Sequence, residues 1–177
     1  IINCNVYSST VQGETRVGGL VGVNNAGTIS YSSLESSEIY GNLEVGGIAG
    51  YNNAVIENSN TWQSDIIGQG NTQRDIGGLV GKSYTSGAVI KNSYVEGTNI
   101  SGIEAVGGIA GTSDGLIQYS YTNSNLLFEE GDSSIIGEIV GSGDTSKITN
   151  SFYLENSSGR TASGSIDDSS GTTALDS

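Results

Sequence analysis

The chain has 177 residues, a formal net charge of −13, no histidine, no proline and a single cysteine. That length suits one domain. The missing histidine excludes a Ser-His-Asp triad and a His-Glu-x-x-His zinc centre, and the lone Cys4 excludes an internal disulfide and a cysteine-rich zinc cluster. The acidic excess disfavours nucleic acid and anionic lipid as partners, and no run of about 18 apolar residues offers a membrane span.

Along the chain, the first segment is Ile2-Asn3-Cys4-Asn5-Val6, with no basic stretch before it and no mark of a signal peptide. The piece is expected to derive from a longer or processed protein whose address lies elsewhere. VGGLVG follows at Val17–Gly22, and this run recurs as VGGIAG at Val45–Gly50, IGGLVG at Ile76–Gly81, VGGIAG at Val106–Gly111 and IGEIVG at Ile136–Gly141. The successive spacings are 28, 31, 30 and 30 residues. A second pattern keeps the same step, beginning at Ile2, Ile29, Ile56, Ile90, Ile117 and Ile148, with an Ile-x-Asn-Ser core in its clearest copies. Two independent patterns on one period identify an internal repeat. Between them lie turns rich in Asn, Asp, Gly and Ser, such as VNNAGT and TSDGL, residue types that support positive φ and local side-chain hydrogen bonds.

Glycine costs about 1 kcal/mol inside a helix. Two or three glycines per motif, beside Val and Ile, therefore argue against helical repeats. The apolar runs are short and β-branched, which is strand chemistry. Each repeat contains three such runs: the Ile-x-Asn-Ser segment, a variable middle segment such as SEIYGNLE, and the Gly-rich segment. The predicted fold is all-β, a parallel β-solenoid of five to six coils with three short strands per coil. Coils stacked at about 4.8 Å would pair each strand with its equivalents above and below. Glycine at the repeated bends lets adjacent backbones approach closely. Val17, Leu20, Val45, Ile48, Ile76, Leu79, Val106, Ile109, Ile136 and Ile139 are predicted to form one internal stack, and the isoleucines from Ile2 to Ile148 a second. A bend inside Ile-x-Asn-Ser leaves the facing of the following residues open. An antiparallel sandwich of hairpins competes, because Asn-Asn-Ala-Gly suits a hairpin turn, but hairpin proteins do not usually hold one period over five units. Residues 1–158 are read as the solenoid and 159–177, polar and without apolar periodicity, as a C-terminal cap or tail.

The paired motifs resemble the GLUG repeat, named for its Gly-Leu-apolar-Gly core. GGLVG, NNAGTI and the Ile-Asn-Cys at Ile2–Cys4 carry the resemblance, with Ser in place of Cys in later copies, and the closing stretch ITNSFYLENSSGRTASG…GTTALDS resembles the segment that often ends such arrays. Glu138 departs from the pattern, standing where the second glycine belongs. It is expected to mark the last coil, whose outer face must be polar. The resemblance implies a bacterial, secreted or cell-surface protein, of the adhesin-like kind or associated with metallopeptidases of the immunoglobulin A protease type. It does not imply that the array itself is catalytic.

Candidate chemistry is sparse. Glu129, Glu130 and Asp132 could hold Ca2+ through hard oxygen ligands, although the spacing is not that of an EF-hand. The same carboxylates, or Asp167 and Asp168 in the tail, could serve a polysaccharide-active β-helix enzyme. Aromatic residues fall at one phase of the repeat: Tyr94, Tyr121 and Phe152 lie four residues after the ladder isoleucine, and Tyr7, Trp62 and Tyr153 one or two further on. Facing outward, they would form a stripe for a glycan or a protein partner; otherwise they stabilise the stacking of coils. The row five residues after the isoleucine (Leu34, Thr61, Val95, Thr122, Tyr153) lacks the regular threonines of an ice-binding face. The expected function is a non-catalytic structural or binding module, adhesive or spacing, extracellular, whose partner is a host protein, a glycan or a neighbouring domain. Two rival expectations are a substrate-positioning domain for a peptidase encoded elsewhere in the chain and the polysaccharide-active enzyme.

Overall fold

A computed structural model describes residues 1–128, 135–154 and 172–175. The chain is an all-β parallel solenoid of about five coils. Ile29, Ile56, Ile90, Ile117 and Ile148 stand directly over one another in successive coils. Val17, Val45, Ile76, Val106 and Ile136 do the same. Every strand pair is parallel and in register across the repeat, so the period read from the sequence is the length of one coil.

The second and third coils each carry five short strands, two more than predicted. In the third coil they are Val55–Glu57, Asn60–Trp62, Asp65–Gly68, Arg74–Gly77 and Val80–Ser83. They belong to four sheets: Val55–Glu57 to sheet A, the next two to the ten-stranded sheet B, Arg74–Gly77 to sheet C and Val80–Ser83 to sheet D. The physical reason for the extra strands is a left-handed residue at successive corners. Asn58 and Gln63, each between two strands of the third coil, have φ of 49° and 46°. The Gly-rich run is likewise two strands with a bend between them. In the fourth coil the middle pair merges into one long strand, Tyr94–Gly102, with a bulge at Gly97. The fifth coil has the same long strand, Tyr121–Phe128.

The first corner follows the isoleucine ladder and explains its Asn-Ser. Asn58, Asn92 and Asn150 take the left-handed conformation, which asparagine tolerates well. The next residue is a buried serine whose hydroxyl joins two coils. Ser32, Ser59, Ser93, Ser120 and Ser151 each accept, through Oγ, the backbone N–H of the equivalent residue one coil earlier, at 3.1–3.4 Å. Each Oγ also donates to the carbonyl two residues before it. This chain of bonds satisfies corner amides that no strand ladder reaches.

The first link of that chain corrects the register of coil one. Cys4 N–H donates to Ser32 Oγ, and Ile2 bridges to Ser30. Ile1, not Ile2, therefore underlies Ile29, and Ile2 is 69% exposed. The doubled isoleucine allows either alignment on sequence alone; the hydrogen bonds choose one.

The glycines let sheets C and D meet without side chains between them. A Cβ on Gly77 would collide with Val80 O and lie 2.5 Å from Gly111 N and 2.7 Å from Ala110 Cα. The predicted internal stack fills the lumen: Val17, Val45, Ile48, Ile76, Leu79, Val106, Ile109 and Ile139 are buried, with Leu20 and Ile136 packed against them. The left-handed corner also reverses facing, so Leu34, Thr61, Val95, Thr122 and Tyr153 point inward and Tyr153 is 4% exposed. That row therefore says nothing about an ice-binding surface. Glu138 is buried at the bend between Ile136–Gly137 and Val140–Gly143, the last described strands of sheets C and D. Thr172–Leu175 adds a final parallel strand to sheet B.

Candidate functional site: the aromatic face of sheet B

Alternation along each strand of sheet B puts one residue in the lumen between two that face out. In Tyr94-Val95-Glu96 the valine is buried and the flanking residues are exposed. In-register stacking turns these outward residues into two rows along the rod. One row runs Asn5, Ser33, Asn60, Tyr94, Tyr121, Phe152. The other runs Tyr7, Glu35, Trp62, Glu96, Asn123.

Five of the six aromatic residues singled out from the sequence thus lie on this face. Tyr94, Tyr121 and Phe152 are direct neighbours in the first row, and Tyr7 and Trp62 stand in the second. Tyr153 does not, because its odd offset from Phe152 sends it into the core. Sequence reasoning missed Tyr119. It occupies the left-handed corner (φ 50°), a position held by asparagine in four other coils (Asn3, Asn58, Asn92 and Asn150), and is 58% exposed. Tyr31 at the same corner of the second coil is the signal that could have found it.

Tyr94, Tyr119 and Tyr121, with Asn92, Ser93 and Glu96, wall a recess of about 380 Å3. Burial, helped by the negative charge of Glu96, holds the Tyr121 phenol above the ordinary tyrosine range, while a hydrogen bond with Asn123 acts the other way. The recess is lined by three rings, one amide, one hydroxyl and one carboxylate.

Charge is unevenly placed around the rod. No strand of sheet B contains lysine or arginine, yet its strands carry Glu35, Glu38, Asp65 and Glu96. Among the described residues the cations lie elsewhere, each beside a carboxylate. Arg16 meets Glu44 at 2.8 Å, Lys91 meets Glu57 at 2.9 Å and Lys147 meets Asp144 at 3.4 Å. Lys82 and Arg74 share Asp75, at 3.3 Å and 3.6 Å.

The proposed calcium ligands Glu129, Glu130 and Asp132 lie outside the described residues, as do Asp167 and Asp168. Among those described, no three His, Cys, Asp or Glu side chains gather as a metal site would require, and no helix is long and apolar enough to cross a membrane.

The family model described as the GLUG motif matches residues 72–101. That span begins before the sheet C strand Arg74–Gly77, passes the Gly-rich bend and the Ile90-Lys91-Asn92-Ser93 corner, and ends inside the long strand of sheet B. It is one full turn of the solenoid, cut at a different phase. No curated protein and no solved structure matches the chain. The corner glycines and the ladder isoleucine of this matched turn recur in register in the neighbouring coils, and the chain is a GLUG-repeat protein.

Proposed function

We propose that the chain is a non-catalytic binding and spacing module of a secreted or surface protein, and that it engages its partner through the outward side of sheet B. The observation that supports this reading is the alignment of Tyr94, Tyr121 and Phe152 on one flat, continuous sheet, with Tyr119 beside them. Tyrosine and tryptophan offer large contact areas at low entropic cost, which enriches them at interfaces. The rigid stack of coils holds the rings at a fixed repeat without further ordering on binding.

The test is a binding screen of the chain against glycans and host secretory proteins, repeated with Tyr94→Ala and Tyr121→Ala combined. Loss of an aromatic anchor typically costs 1–2 kcal/mol or more, so the double variant is expected to weaken a genuine ligand at least about 10-fold. A ligand that binds both forms equally would remove this face from the account. Turnover of any glycan by the unmodified chain would overturn the non-catalytic reading.

A further inference from the structure

We infer that the recess of Tyr94, Tyr119 and Tyr121 takes a lysine or arginine side chain from an extended basic protein segment. The inference rests on sheet B being the binding face and narrows its ligand to one chemical class.

Three observations carry it. The recess walls are aromatic faces with one carboxylate, Glu96, among them. Aromatic faces attract a cation, and its aliphatic stem packs against the rings while the carboxylate takes the charged head. No ion pair engages Glu96 among the described residues, and its charge reaches Tyr121. The second observation is the segregation of charge. Sheet B carries four carboxylates on its strands and no cation, and each described cation is already matched on sheets A, C and D or at the Thr145–Lys147 turn. An incoming cationic chain would therefore meet attraction and no like charge along this face. The third is the row Tyr7, Glu35, Trp62, Glu96, in which ring and carboxylate alternate from coil to coil. The pattern repeats every second coil, about 9.6 Å at the strand spacing. Three residues of extended chain span about the same distance, so the face fits a segment with a cation at every third position.

The experiment measures binding of the full chain to three probes by titration calorimetry at low and at physiological salt. The probes are a twelve-residue peptide with lysine at every third position and glycine between, the same peptide with glutamine for lysine, and cellohexaose as a neutral glycan. The lysine peptide is expected to bind about 10-fold tighter than the glutamine peptide, and less tightly as salt rises. Glu96→Gln and Tyr121→Ala should each weaken it about 5-fold or more, and Glu14→Gln, an exposed site outside sheet B, should not. Circular dichroism checks that the variants stay folded. Equal weakening by Glu96→Gln and Glu14→Gln would show diffuse attraction to an acidic protein and overturn the assignment. Cellohexaose binding that is lost in Tyr94→Ala with Tyr121→Ala would overturn the cationic ligand and leave the binding face standing. Absence of binding by the lysine peptide would also overturn it, and the screen of the preceding section then decides the face itself.

Discussion

Ser93 holds two coils at once: its Oγ accepts the Ser59 N–H at 3.2 Å and donates to the Lys91 carbonyl at 2.8 Å. In Ser93→Ala the Lys91 carbonyl keeps the Asn58 N–H, but the buried Ser59 N–H loses its acceptor. An unpaired buried donor costs about 1–3 kcal/mol, and that loss is expected in the urea unfolding of Ser93→Ala, against less than about 0.5 kcal/mol for Ser142→Ala on the surface. An equal effect of the two would show that the serine bonds add nothing. The serine was visible in every repeat after the first, where Cys4 stands in its place, but its role was not, because a hydroxyl that links neighbouring coils looks the same in a sequence as one in a turn. Single-residue facing had the same limit. Tyr153 and Phe152 are adjacent aromatics, and only the left-handed corner before them decides which enters the lumen. Tyr119 escaped notice for a related reason: it sits on that corner, outside the strand phase in which an aromatic stripe was sought.

The strands depend on the glycine bend between sheets C and D. Gly77→Ala puts a methyl group against the backbone of Val80, Ala110 and Gly111, none of which can turn aside as a side chain would. Overpacking of this kind costs about 3 kcal/mol or more where the backbone itself must move, so thermal unfolding of Gly77→Ala should fall well below that of the parent. Gly87 lies in a turn with open space around its Cβ position and no positive φ. Gly87→Ala should be neutral or stabilise by about 0.4–1 kcal/mol through the unfolded chain. A tolerated Gly77→Ala would mean that the sheets are not as close as described. The period, the parallel stacking and the apolar ladders were legible because each repeats. The number of strands was not: a left-handed Gln63 carries no compositional mark, and a corner held by such a residue divides runs that look continuous. The Gly-rich motif looked like one strand for the same reason, since a glycine bend and a glycine within a strand are written alike.

Across the whole molecule each coil contacts chiefly the coils before and after it, so stability is close to a sum of coil and neighbour terms. The sheet hydrogen bonds and the serine chain all run between coils, parallel to the long axis of the rod. A load applied to the two ends of the rod therefore falls on these bonds directly, and on the outermost coil first. Coils should come away singly, like turns drawn off a spool, each releasing about 30 residues of slack, or roughly 100 Å of extended chain. Optical-trap extension is expected to record a staircase of such steps at modest force, and a single rupture of the whole chain would contradict it. A rod of this build yields by lengthening: a partner held on sheet B could be tethered through a pull that spends one coil at a time while the remaining coils keep their shape.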